Sequence, residues 1–155
     1  MHVKIKQKDL KAFISATKQS PMQTIPILNY ILLETVEDKL QLFVTDLDIM
    51  LKQRIDCEIL EPGKCLVNYF LLKKICAATQ SEEIEILVVD EEIISIIAGD
   101  AEFTASGSGI RADDFPPDDM ITYDRNFPCP TEVFWKGLRC ALPFLTKDGS
   151  GYPVA

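Results

Sequence analysis

Three amphipathic stretches at nearly constant spacing limit what this chain can build. Residues 8–19 (KDLKAFISATKQ) place Leu10, Ile14 and Thr17 on one helical stripe and keep Lys8, Lys11 and Lys18 off it. The same 4-then-3 spacing returns 61 residues on, in Leu71, Ile75 and Ala78. After a further 63 it returns in Phe134, Leu138 and Ala141. Recurrence at a fixed period marks a supersecondary unit used more than once and stacked on its neighbours. Two amphipathic helices can also be superposed by chance, so repetition has to be supported by what surrounds them.

The surroundings repeat as well. Residues 2–6 alternate apolar and polar side chains and read as a strand before the first helix, which Ser20-Pro21 stops. Residues 27–34, 39–45 and 49–57 read as three strands, with turns at Glu37-Asp38 and Asp46-Leu47-Asp48. Pro26 suits a strand start, and Pro62-Gly63 closes the unit. The order then recurs: a strand at 64–67, a helix at 69–78, and strands at 82–89, 91–98 and 101–106. At a shift of 61, Ile5 falls on Leu66, Leu10 on Leu71, Ile14 on Ile75, Ala16 on Ala77 and Gln19 on Gln80. The expectation is an α+β domain of two βαβββ units, about 1–61 and 62–107.

Residues 107–128 change character. Gly107, Gly109, Phe115-Pro116-Pro117 and the acids Asp113, Asp114, Asp118 and Asp119 mark an extended linker with solvated carboxylates. Phe115 is its one apolar anchor to a neighbouring surface. Thr131 can cap a third helix, with Glu132 complementing its dipole, that runs to about residue 142. A unit that stops after one helix leaves Phe134, Trp135, Leu138 and Leu142 facing water unless something covers them. The domain reading is therefore 1–120, with linker, followed by the truncated start of a second domain at 121–155.

Composition bears on the partner. A net charge of −8 argues against nucleic acid only if the basic residues are evenly spread. Seven of the 16 lie on the three helices (Lys8, Lys11, Lys18, Lys73, Lys74, Lys136 and Arg139), whereas the acids crowd the strands, turns and linker. Two readings stay open: a basic surface for sequence-independent phosphate contacts, or ordinary solvation of exposed helix faces. Five cysteines without CxxC spacing and a single histidine speak against a metal site and a disulfide scaffold, and for buried thiols in a reducing cytoplasm. There is no apolar leader and no run of 18 apolar residues. Without a Gly-rich phosphate loop or a nucleophile elbow, neither catalysis nor a cofactor is expected. Asp46 and Asp48 read as turn carboxylates.

Three segments resemble the bacterial DNA polymerase III β subunit family, the replicative sliding clamps. Thr24-Ile-Pro-Ile-Leu28, followed by Asn29 and Leu32-Leu33, is similar to the family's T-L-P-I-L-x-N-x-L-L stretch. Leu42-Phe-Val-Thr-Asp-Leu-Asp48 resembles its L-x-x-T-D-L-E turn, and Ala112-Asp-Asp-Phe-Pro116 its A-x-D-F-P segment. The resemblance implies a DNA clamp fold, with helices inside and antiparallel sheets outside. It further implies a three-domain subunit that closes as a homodimer ring around double-stranded DNA and tethers the polymerase without covalent chemistry. A clamp loader and the polymerase would be its protein partners. The helix cations would then be DNA contacts, joined by Lys147 and Tyr152 where the family's polar and aromatic loop falls. The family's basic residue before its T-L-P-I-L stretch is Met22 here, and its peptide-capturing pocket lies in later domains. The rival reading is a clamp-fold module that binds a replication protein without encircling DNA.

Overall fold

The computed structural model describes residues 1–17, 25–47, 49–90, 93–106, 110–117 and 128–144. They belong to two compact units, Met1–Asp118 and Asp119–Ala155. In the first, β1 (His2–Lys6) leads directly into α1 (Gln7–Ala16), and β2 (Tyr30–Val36), β3 (Lys39–Thr45) and β4 (Met50–Glu61) follow. The pattern recurs as β5 (Lys64–Asn68), α2 (Tyr69–Ala78), β6 (Glu83–Val88), β7 (Ile93–Ala98) and β8 (Ala101–Ser106).

All the strand pairs are antiparallel, in the order β5-β2-β3-β4-β1-β6-β7-β8. β1 lies between β4 of its own repeat and β6 of the other, while β5 pairs with β2. Each repeat thus gives its first strand to the other's sheet, which makes the two halves one folding unit. β4 serves two partners: Met50 to Asp56 pair with β3, and Cys57 to Glu61 with β1. That double duty carries it four residues beyond the expected end at 57.

Strand alternation sends Val3, Ile5, Ile31, Leu33, Leu40, Leu42, Ile84, Ile86 and Ile96 to one side, all essentially inaccessible to water. Leu10, Phe13 and Ile14 of α1 and Leu72, Ile75 and Cys76 of α2 complete the same cluster. Full burial of each large apolar side chain stabilises by roughly 1.5–3 kcal/mol, so both helices are held by this one face.

Several boundaries differ from the sequence expectation. α1 ends at Ala16, ahead of Ser20-Pro21, because Thr17 turns to extended backbone and its N–H and hydroxyl bond Phe13 O and Ile14 O. The repeat spacing is 62, not 61 and 63: the helices begin at Gln7, Tyr69 and Thr131. Buried Gln7, Leu10, Phe13, Ile14 and Thr17 therefore correspond to buried Tyr69, Leu72, Ile75, Cys76 and Thr79. Leu71 is only half-buried, and Ala78 is exposed. Pro26, which has no N–H to give a ladder, opens a 3-10 turn at Pro26–Asn29, and β2 starts only at Tyr30.

In the second unit α3 (Thr131–Ala141) begins with Pro130, not Thr131, at its cap; Phe134 N–H donates to Pro130 O. A 3-10 turn at Leu142–Phe144 follows. Val133, Phe134, Trp135 and Leu142 are exposed, as the apolar stripe implied, and Leu138 is half-buried.

Candidate nucleic-acid interface

α1 and α2 touch along the side of the sheet that carries the main core. Their ends are tied reciprocally. The Gln7 side chain, buried at the start of α1, donates to Thr79 Oγ1 and Thr79 O (both 2.8 Å) and to Cys76 O (3.3 Å) at the end of α2. Tyr69, buried at the start of α2, donates its hydroxyl to Thr17 O (2.8 Å) at the end of α1, with Ile14 O at 3.3 Å. Each helix start clasps the other's end, so the helices run antiparallel and cannot slide past one another without breaking buried hydrogen bonds. Asn68 caps α2 by accepting from the N–H groups of Phe70 and Leu71.

With the buried face fixed, the remaining side chains of both helices point to water. On α1 these are Lys8, Lys11, Ala12, Ser15 and Ala16; on α2 they include Lys73, Lys74, Ala77 and Ala78. Among the described residues no carboxylate pairs with the four lysines. Lys73 reaches over the Tyr69 ring, its Nζ 5.8 Å from the centroid. Lys11 lies close enough to α2 for its charge to act on Cys76, whose thiol burial nevertheless pushes up to about 11. A groove at the start of α1 brings Lys6 beside Lys8 and Lys11, facing Gln80, Ser81, Glu82 and Glu83. Lys6 was missed in the sequence because it belongs by pattern to the strand. Asp9, half-buried in the first turn of α1, faces the positive end of the helix dipole.

The opposite face of the sheet carries both signs. His2 and Lys4 of β1 pair with Glu85 and Lys39 with Asp56, and Lys52, Arg54 and Lys64 stand there alongside Glu34, Glu58, Glu61 and Glu102. On the exposed surface of α1 and α2, by contrast, small residues lie between the lysines and allow a polyanion to approach.

Of the other predicted contacts, Lys136 and Arg139 are exposed on α3 in the separate second unit. Lys18, Lys147 and Tyr152 lie outside the described residues, as do Met22 and Asp48. Asp46 acts in its turn, where Oδ1 accepts from Ile49 N–H at 2.7 Å. Among the described residues no cluster of His, Cys, Asp or Glu is placed to hold a metal ion, and no helix is long and apolar enough to cross a membrane.

Comparison with known proteins follows the same geometry. A family profile described as DNA polymerase III beta subunit, N-terminal domain, matches residues 1–120. The beta sliding clamp of Pseudomonas putida is 35% identical over 95 residues, covering 61% of this chain and 25% of that protein. The crystal structure of the DNA polymerase III subunit beta from Pseudomonas aeruginosa superposes with a TM-score of 0.70 at 30% identity, over 82% of this chain and 34% of that one. The beta chain from Streptococcus pneumoniae gives 0.77 at 16% identity, over 88% and 38%, and shows the shared fold alone. The chain spans about a quarter of the curated relative's length and about a third of the solved subunits.

Proposed function

Because the chain belongs to the DNA polymerase III beta subunit family through residues 1–120, we propose that it works as a DNA sliding clamp, encircling duplex DNA and tethering the polymerase. The family match carries this reading. The basic surface of α1 and α2 supports it and supplies the mechanism. A clamp must hold DNA without stopping on it, which calls for contacts to phosphates and none to base edges. Lys8, Lys11, Lys73 and Lys74 meet that need, since each is a point charge on a flexible stem that can exchange one phosphate for the next. Ala12, Ser15, Ala16, Ala77 and Ala78 between them are too short to enter a groove. Lys18, Lys136, Arg139, Lys147 and Tyr152 extend the same role along the path of the DNA.

The protein performs no covalent chemistry in this reading. It acts in the cytoplasm as a homodimer ring, opened by a clamp loader and bound by the polymerase. Retention on duplex DNA across a salt titration tests the surface. Each phosphate neutralised contributes about 0.9 to the log–log salt slope. Lys8→Glu, Lys11→Glu, Lys73→Glu and Lys74→Glu together should flatten that slope and abolish retention at low salt. Retention and slope equal to the parent's would remove the four lysines from the DNA path.

A further inference from the structure

The repeat register separates two kinds of apolar residue on α3. Phe134, Trp135 and Leu142 are all exposed in the second unit, so exposure alone does not tell them apart. At the spacing of 62, Phe134 takes the position of Leu10 and Leu72, and Leu138 that of Ile14 and Cys76, all four buried in the first unit. Trp135 takes a different position, that of Lys11 and Lys73, which are exposed on both clasped helices. A helix packed as α1 and α2 are would cover Phe134 and Leu138 and leave the indole in water. The only tryptophan of the chain thus stands where the repeat carries a cation.

Its neighbours are basic. Lys136 follows it, Arg139 lies one turn on, and the three line a shallow groove with Glu132. Among the described residues no carboxylate pairs with either cation, and neither cation sits over the indole. Phe134 meets the indole at 69° with centroids 6.4 Å apart, an edge contact and not a stack. An open aromatic face beside two cations suits a strand with unpaired bases: a base stacks on the ring and the flanking phosphates take the charges. Duplex DNA offers the phosphates but no free base face, and an apolar peptide would meet charged walls. We propose that Trp135, with Lys136 and Arg139, binds single-stranded DNA by stacking one base on the indole. That the strand is DNA rests on the clamp reading; the place of Trp135 off the core stripe does not.

With one tryptophan in the chain, fluorescence reports this site alone. At low salt, oligothymidylate should quench it, whereas an abasic strand of equal length and a duplex should leave most of the emission. Trp135→Ala should weaken binding of a dye-labelled oligothymidylate by about 5- to 150-fold, the range for one stacked base, and Trp135→Phe should recover part of that loss. Lys136→Gln and Arg139→Gln should each lower the log–log salt slope by about 0.7 and keep the quenching at saturation. Equal quenching by the abasic strand overturns the stacking, and none by oligothymidylate overturns the site. Emission closed to acrylamide in the free chain, or closing as protein concentration rises, assigns the indole to a core or to a second copy and overturns it as well. Duplex retention separates the two readings: retention without quenching refutes this site alone, and quenching without retention refutes the clamp and leaves the site standing.

Discussion

Replacing Tyr69 with phenylalanine removes one oxygen from a position that is 1% exposed and leaves the ring in place. The edge contact to Phe70 at 5.2 Å and the ring under Lys73 both survive, so the change isolates the hydroxyl. Of the two carbonyls it serves, Ile14 O keeps a donor in Thr17 Oγ1 at 3.0 Å. Thr17 O, the 2.8 Å partner, loses its hydroxyl donor in a buried setting. Such a loss costs about 1–3 kcal/mol. For a unit of this size each kcal/mol lowers the melting temperature by about 4 °C, which gives about 4–12 °C. Gln7→Met removes the matching clasp at the other end of the helices and should cost a similar amount. The two sites are separated by the length of a ten-residue helix, about 15 Å, so their effects should add to within about 0.5 kcal/mol. Thermal melting followed by far-UV circular dichroism measures all three variants. A Tyr69→Phe protein melting within about 1 °C of the parent would refute the idea that the clasps hold the lysine-bearing helices together.

Thiol chemistry and capping give two more tests. Burial pushes the Cys65 thiol up to about 12 and Cys76 up to about 11, whereas Cys129 and Cys140 are exposed. A thiol reagent near pH 8 should therefore modify Cys129 and Cys140 first and reach Cys65 and Cys76 only on unfolding, as peptide mapping would show. Asn68→Ala removes the side-chain acceptor for Phe70 and Leu71 N–H (3.0 and 3.1 Å) and should destabilise the first unit by about 0.5–2 kcal/mol in denaturant titration.

The fold was legible where one side-chain period dominated. The strands at Lys39–Thr45 and Ala101–Ser106 and the helix at Tyr69–Ala78 have the expected bounds because alternation, then a helical stripe, then Thr79 leave little choice. The repeat register was not legible. Phe70, Leu71 and Leu72 are all apolar, and only packing decides that Leu72 points inward. Nor were the contacts that tie distant segments. Gln7 and Tyr69 share a repeat position but not a chemistry, and Asp113 finds Lys64 across 49 residues with no local signal. The helix cations were legible singly, as off-stripe residues. That Lys8 and Lys11 come beside Lys73 and Lys74 depends on the exchange of β1 and β5 between sheets, which no spacing encodes.

The corrected spacing also says more about charge than the sequence alone did. At 62, Lys11 and Lys73 occupy the same repeat position, one on each clasped helix. On α3, Phe134 takes the position of Leu10 and Leu72, and Leu138 that of Ile14 and Cys76. Lys136 falls where Lys74 stands on α2. The partition of apolar stripe from cation therefore belongs to the repeated unit and not to any one helix. A chain with a net charge of −8 can carry a basic surface because the exposed positions of the two clasped helices hold lysines and small residues and no carboxylate, whereas acids and cations are mixed on the outer face of the sheet.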